Sequence, residues 1–555
     1  MALRQRRIGW LLAAFALLLA LAAARAFELT TLNAGTLSSA GNAEHSATVT
    51  IPAPRGEIVD RNGVILATTE AAYDITATPD LVSDLPAFAL ELAPVLHETV
   101  GTIEHNIRHP TSSSAYTVLA RQQTPTIAAE VRKLALAGVA VSADPRRIYP
   151  EQHGYLAAQV LGGVGANGSG LGGIEYELNR ALSGSAGVQP VVYDGEGQPI
   201  KVGGTTPVAG KTVQLTIDAA LQQWTDSVVA STGREFRAQN ATGIVLDPRS
   251  GAVYAMSNWP RVNANDSANA DAENYAIGQD YEPGSTFKVV AVGGALSEGL
   301  ITPYTKFTVP DCIHVADRTI CDAEYHPTEQ LTPGDILQVS SNVGAVEIGE
   351  KLGAAGMYRW MRAFGFGSPT GIGLLDDAPG QIPLPAQWSG SSIGNIPFGQ
   401  GVDVTPLQIA DAYAAIANGG VMAQPHLIER VGGRPVSLPA GRRILTPLVA
   451  AELRRMLERV TAEGGTAAQI QIPPYTLAAK TGTAQKVVGG VYSNTEFWAS
   501  FVGIAPASDP RLEAIVLVND PKGGEYYGTE VAAPAWEKIM EFALPYLKIS
   551  PTPPR

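Results

Sequence analysis

The sequence predicts an α+β protein whose globular part is exported and carried on one N-terminal transmembrane helix. Three observations lead there. Strand-like segments stand at both ends of the region beyond about residue 213, with helical patterning between them. An apolar run from Ile8 to Ala24 follows Arg4, Arg6 and Arg7. The 555 residues exceed what one core fills, so two or three domains are expected.

Composition narrows the class. Hydrophobic residues make up 45% and charged ones 16%, which suits folded domains rather than disorder. The net charge of −13 argues against a nucleic-acid partner, because polyphosphate binding needs a basic face. The acidity reads as a solvated surface.

The run Ile8–Ala24 is 17 residues long, the lower limit for a spanning helix. Arginines on its short side place residues 1–7 in the cytoplasm and everything after about residue 26 outside. Ala24-Arg25-Ala26 also resembles a signal-peptidase site, so a cleaved signal peptide is the alternative to an uncleaved anchor. Both export the protein.

Residues 30–49, rich in Ser, Ala, Gly, Thr and Asn, read as a linker. RGEIVDRNGVILA (Arg55 to Ala67) holds two short strands around an Asn-Gly turn. Arg147-Ile148-Tyr149-Pro150 follows, then a glycine-dense stretch from Gly162 to Gly173 that ends at Glu175. Those glycines lack the strand-then-helix setting of a nucleotide loop, which excludes phosphate binding there. LTIDAALQQWTDSVV predicts a strand, then a helix with Leu221, Trp224, Val228 and Val229 on one face. Thr242 to Met256 predicts two strands joined at Asp247–Gly251. From Ser285 to about Phe366 the pattern is mainly helical. Phe497–Ile504 and Arg511–Val518 alternate like paired strands, and the PTPPR tail after Ser550 reads as loose.

The two cysteines, Cys312 and Cys321, fall in the exported part, where an oxidising compartment favours a disulfide. Free thiols are the alternative. A metal site with His314 and His326 is a third reading, but the spacing fits no standard zinc pattern.

The chemistry centres on YEPGSTFK, Tyr281 to Lys288. Pro283-Gly284 reads as a turn and Val289 onward as a helix. Ser285 then sits at a helix start, with Lys288 one turn further on the same face. A serine hydroxyl needs an adjacent base, and a lysine serves as one only when burial or another cation lowers its pKa. Taken alone, the pair reads as a helix-capping serine and a solvated lysine. Two later signals overturn that reading. Ser340-Ser341-Asn342 precedes an apolar helix, and Lys480-Thr481-Gly482-Thr483 enters a strand. The order S-x-x-K, S-x-N, K-T-G within one module is the pattern of penicillin-binding proteins and serine β-lactamases. Ser267-Ala268-Asn269 is a decoy that precedes Ser285 in a polar loop.

On these motifs the chain resembles the class B penicillin-binding proteins, monofunctional peptidoglycan D,D-transpeptidases. The resemblance also covers the basic tail and anchor, RGEIVDRNG, RIYP, the GLGGIE run, LTIDAALQ, FGFGSPTGIGL and VTPLQIADAYAAIANGG. It implies a serine β-lactamase-like transpeptidase domain on an elongated, mainly β pedestal. The implied division is a cytoplasmic tail at 1–7, the anchor at 8–26, a linker at 27–50, the pedestal or dimerisation domain at 51–210 and the transpeptidase domain at 211–550. No glycosyltransferase module precedes it, unlike the bifunctional class A proteins. SSNVG and FGQGVDVTPLQ (Phe398–Gln408) resemble the septal branch. Asp376 or Asp377 stands where Glu is commoner, and Tyr527-Gly528-Thr529 where a Gly-Gly pair is usual.

The resemblance implies that Ser285 is the nucleophile and Lys288 its base, kept neutral with help from Lys480. Ser340 relays the proton and Asn342 orients Lys288 and the donor backbone. The N–H groups of Ser285 and Thr483 form the oxyanion hole, and Lys480, Thr481 and Thr483, beside Gly482, bind the terminal carboxylate. No cofactor or metal is expected. The implied partners are D-Ala-D-Ala stem peptides with an amine acceptor, β-lactams, the plasma membrane, a polytopic glycosyltransferase and other division proteins. An elongation-type transpeptidase, a serine β-lactamase and a non-catalytic β-lactam-binding scaffold or receptor are the competing readings. The pedestal and anchor argue against a β-lactamase, seven cytoplasmic residues against a signalling receptor, and three intact motifs against an idle scaffold.

Overall fold

The computed structural model describes residues 2–32, 35, 46–110, 116–193, 199–201 and 203–551. Most of the predicted linker and all of the PTPPR tail but Pro551 lie outside the described residues. The N-terminal helix runs Ala2–Phe27 and continues as a wider turn, Glu28–Leu32. The helical stretch Arg6–Thr31 is 26 residues long and apolar enough to cross a membrane.

The rest divides into two compact units. One comprises Ala71–Pro145 and Gly184–Ala209 together with the chain up to Pro54. In it Tyr73–Ala77 is the middle strand of an antiparallel sheet, between Thr117–Gln123 and Val139–Ala143. Ile75 and Ala77, two apart and so on one face, are buried with Leu92, Ile103 and Val131 from the three helices Leu85–Leu96, Val100–Arg108 and Pro125–Leu134. Each helix starts on a side-chain cap, Asp84, Thr99 and Thr124 in turn.

The second unit comprises Arg55–Glu70, Arg146–Ser183 and Gly210–Arg555. Its main sheet has the strand order Val253–Trp259, Asn240–Leu246, Leu512–Asn519, Val491–Ala505, Ala478–Val488, every neighbour antiparallel. Both faces are covered, so alternate residues enter two different cores. Val245, Phe501 and Val516 pack with Leu221, Trp536 and Ile539 of the helices Ala219–Glu235 and Ala533–Tyr546. Ile244, Val502 and Ile515 face the other way, toward Val290, Leu407 and Tyr413 of the helices Lys288–Ser297 and Pro406–Ala417.

The predicted hairpin around Asp60–Gly63 forms, with Ile58–Val59 antiparallel to Ile65–Glu70 and parallel to Val213–Leu215. Its Arg55 joins Arg147 of the RIYP segment and Glu175 at the end of the glycine-rich run. Glu175 is fully buried and accepts from Arg55 Nε at 2.5 Å, Arg147 Nε at 2.7 Å and the Tyr149 hydroxyl at 3.2 Å. Three segments far apart in sequence are thus tied by one carboxylate.

Two elements differ from expectation. Trp224 does not share the buried face of its helix. It is 41% exposed, donates its indole N–H to the Lys538 carbonyl and stacks on Phe542, so its polar edge holds it at the rim. The region after the Ser285 helix is not helical throughout. Phe307–Val309 pairs with Glu329–Leu331, and Cys312–Val315 with Arg318–Cys321, where Phe307, Thr308, Val309, Ile313, Val315, Thr319 and Ile320 supply strand-favouring side chains.

Candidate active site

The turn that carries Ser285 is held from two sides. Tyr281 exchanges backbone hydrogen bonds with Val404, each at 2.9 Å, and Gly284 N–H donates to the Gly399 carbonyl at 3.0 Å. Gly284 has φ +57°, and a Cβ there would stand 3.1 Å from Ala484 Cβ and 3.2 Å from the Thr483 carbonyl oxygen. Glycine takes the left-handed conformation without strain and leaves room for close approach to the KTGT strand. Ser285 sits half-buried in the 3-10 turn Gly284–Phe287, and the α-helix Lys288–Ser297 follows directly. Lys288 is fully buried.

The SSN motif lies between two helices. Pro333–Val339 opens on a Thr332/Asp335 capping box and ends at Ser340, whose φ of 62° is left-handed. Ser341 then caps the helix Asn342–Ala363 by accepting from Gly344 N–H at 2.9 Å. A non-glycine residue in the left-handed region stores strain, and here it turns the Ser340 hydroxyl and carbonyl back toward Lys288. The decoy Ser267–Asn269 is a separate 3-10 turn capped by Asp266.

KTGT occupies the strand Ala478–Val488, as its sequence predicts. Lys480 is fully buried, and Thr481 Oγ1 and carbonyl accept from its Nζ at 3.3 and 3.1 Å. Gly482 is pressed against the turn that carries Ser285. A Cβ there would fall 2.2 Å from Ser500 Oγ and 3.1 Å from the Pro283 carbonyl oxygen. Thr483 Oγ1 accepts from Gly528 N–H at 3.0 Å, which docks the Tyr527-Gly528-Thr529 segment beside the strand.

The three motifs meet at Ser340. Its Oγ accepts from Lys288 Nζ at 3.2 Å and from Lys480 Nζ at 2.9 Å. Lys288 Nζ also donates to the Ser340 carbonyl and to Asn342 Oδ1, the latter at 2.9 Å. All three of these bonds go to the SSN turn, and Ser285 Oγ is not among their acceptors. Burial, then the neighbouring Lys480 charge, hold the Lys288 amine well below the usual lysine range, while Asp322 acts in the opposite sense. Burial brings Lys480 down to about 7. The fold thus gathers Lys288, Ser340, Asn342, Lys480 and Thr481 into one hydrogen-bonded cluster, with Ser285, Gly482 and Thr483 at the turn-strand contact beside it.

Sequence reasoning missed Asp322. Its carboxylate accepts from the Ser341 hydroxyl at 2.7 Å and from the backbone N–H of Asn342 and Val343. Nothing in the local sequence links it to a motif 19 residues on. Cys312 and Cys321, directly opposed across their strand pair, are joined as a disulfide, so neither is available as a metal-binding thiolate.

Residues 241–541 match the penicillin binding protein transpeptidase domain, and residues 50–215 the penicillin-binding protein dimerisation domain. The chain is 31% identical to the probable peptidoglycan D,D-transpeptidase PenA of Neisseria meningitidis, over 99% of this chain and 94% of that protein. It is also 31% identical to the peptidoglycan D,D-transpeptidase FtsI of Escherichia coli, over 90% of this chain and 84% of that one. Among solved structures, penicillin binding protein 3 of Mycobacterium tuberculosis, complexed with aztreonam, matches with a TM-score of 0.70 at 28% identity, covering 91% of this chain and 99% of that one. With both family domains matched and relatives aligned along nearly its whole length, the chain belongs to the class B penicillin-binding proteins.

Proposed function

We propose that this protein is a serine-type D-Ala-D-Ala transpeptidase that cross-links peptidoglycan stem peptides in septal cell-wall synthesis. The observation that carries the reading is the buried Lys288–Ser340–Lys480 cluster, with Asn342 on Lys288 and Ser285 one helical turn before it. Donating to three acceptors takes the ammonium form of Lys288, and loss of one proton frees a lone pair that can take the Ser285 proton. Ser285 Oγ then adds to the carbonyl of the penultimate D-alanine. The oxyanion is held by the N–H groups of Ser285 and Thr483, and collapse breaks the peptide bond. The proton held by Lys288 passes through the Ser340 hydroxyl to the leaving D-alanine amine. An acceptor amine on a second stem peptide attacks the ester, returns a proton to Ser285 and forms the cross-link. Lys480, Thr481 and Thr483 bind the substrate carboxylate. A β-lactam enters by the same first step and leaves a penicilloyl ester on Ser285.

The septal assignment is supported by SSNVG and FGQGVDVTPLQ, which resemble the division branch rather than the elongation branch. The apolar helix Arg6–Thr31, with arginines on its short side, supports a single-pass plasma-membrane anchor and an extracytoplasmic catalytic domain. A polytopic glycosyltransferase and other division proteins are the expected partners in the membrane.

Labelling with fluorescent penicillin and intact-protein mass spectrometry test the assignment. The wild-type protein should gain one penicilloyl adduct that persists for an hour in excess benzylpenicillin, and Ser285→Ala should gain none. Rapid return of the unmodified mass with accumulating penicilloic acid would favour a β-lactamase. Amine-dependent cross-linking of stem peptides separates a transpeptidase from an inert receptor.

A further inference from the structure

Asp322 reaches the site from outside the three motifs. One of its oxygens, Oδ2, accepts from the Ser341 hydroxyl at 2.7 Å and lies 3.0 Å from His326 Nε2. The other, Oδ1, accepts from the backbone N–H of Asn342 and, at 3.0 Å, of Val343. Those N–H groups open the helix Asn342–Ala363 and have no partner within it, so the carboxylate caps the helix start alongside Ser341. One residue earlier, the Cys321 carbonyl accepts from Asn342 Nδ2 at 3.2 Å. That bond decides which way the Asn342 amide faces. With Nδ2 engaged by Cys321, Oδ1 is turned to Lys288 Nζ, 2.9 Å away.

The two contacts come from consecutive residues at the end of a covalently closed hairpin. Cys312 and Cys321 are paired across the strands and bonded through sulfur, so the Cys321 carbonyl and the Asp322 carboxylate arrive together. The side chain of Asp322 is only 8% exposed, where a charge needs its partners, and it has four.

We propose that Asp322, presented by the disulfide-closed hairpin, is a positioning residue for acyl transfer: it locks the helix start that carries Asn342 and so holds Asn342 Oδ1 against Lys288. The inference rests on the transpeptidase reading of Ser285 and Lys288. Besides its geometric part, the carboxylate favours the protonated form of Lys288 and opposes Lys480, which favours the neutral one. His326 faces Asp322, with Glu329 acting on that imidazole in turn. Removing the carboxylate therefore has two effects of different kind. The Asn342–Lys288 contact loosens, which slows acylation, and Lys288 loses its proton at lower pH, which moves the acid limb of the pH profile.

The test uses the full-length chain in detergent. The rate of fluorescent-penicillin acylation is measured from pH 5 to 9 for the wild type, Asp322→Asn and Asp322→Glu, with thermal melting as the check on folding. Asp322→Asn is expected to acylate about ten- to a hundredfold more slowly, the range of a small misplacement at a reacting group, with its acid limb at lower pH. Asp322→Glu keeps the charge and is expected to keep the limb in place while recovering part of the rate. A wild-type rate in Asp322→Asn, or a slower rate with the limb unmoved, would overturn the proposal. If Asp322→Asn does not melt cooperatively, the wild-type chain decides. Reduction of the disulfide by dithiothreitol should slow labelling several-fold and reoxidation restore it, and unchanged labelling would overturn the proposal. Failure of the untreated wild type to label at Ser285 would instead fault the transpeptidase reading.

Discussion

Lys288 and Lys480 donate to the same oxygen, Oγ of Ser340, at 3.2 and 2.9 Å, in a site where both lysines are fully buried. Two ammonium groups this close repel, and neither has bulk water to disperse its charge, so the cluster is poised to give up a proton.

Acylation should accordingly follow a bell-shaped pH profile. It rises as Lys288, held low by burial and by Lys480, becomes a free amine. It falls as Lys480 loses its charge near 7 and no longer holds the substrate carboxylate. The two limbs belong to the coupled pair rather than to either residue. Lys288→Arg keeps the charge at every pH and should lower the acylation rate by about 10²–10⁴-fold. A time course of penicillin labelling from pH 5 to 9 measures both, and near-normal labelling by the arginine variant would rule out the base role.

Ser340 combines a hydroxyl that both lysines use with a backbone φ of 62°. Substitution by glycine or alanine removes the hydroxyl equally, but only glycine relieves the left-handed strain. Ser340→Gly should therefore be about 1 kcal/mol more stable than Ser340→Ala, while both lose acylation by at least about 10²-fold. Melting curves read beside labelling rates test it; equal stability of the two variants would contradict the strain argument.

Glu175 bonds the guanidinium groups of Arg55 and Arg147 in a site where it is itself fully buried. Glu175→Gln leaves two largely buried cations without a counter-charge and should destabilise the fold by about 3–5 kcal/mol. Chemical denaturation reads this directly. The folded fraction should still label with penicillin, because the network touches none of the Ser340 cluster.

Asp411, buried on the helix Pro406–Ala417, is pushed up to about 8 by burial, only partly offset by Arg442. The folded state then holds a proton that the unfolded chain has released from about pH 4 upward. Between about 4 and 8 the native state binds more protons, so stability falls as pH rises through that window. Asp411→Asn carries no such linkage. It should melt like the wild type near pH 4 and be more stable by roughly 5 kcal/mol at pH 8. Parallel pH dependences of the two melting temperatures would remove Asp411 as the source.

By itself the sequence determined the chemistry and much of the local structure. Ser285–Lys288, Ser340–Asn342 and Lys480–Thr483 are short motifs whose spacing and order carry meaning before any contact is known. The hairpin at Asp60–Gly63, the strands on either side of Asp247–Gly251 and the strand holding KTGT follow from turn residues and alternation, which are local properties. Tertiary structure alone decided how these parts meet. Lys480 reaches Ser340 only because the KTGT strand is the edge of a sheet whose chain order is scrambled, and Gly482 lets the Ser285 turn approach it. Trp224 lies at the surface because Lys538 and Phe542, more than 300 residues away, offer its indole a partner and a stacking face. Asp322 was invisible for the same reason: a single aspartate has no pattern, and its meaning comes from the strand pairing that brings Cys321 beside Asn342. Periodicity reports how a segment meets its own neighbours, whereas a buried polar contact between distant segments is fixed by the packing of the whole core.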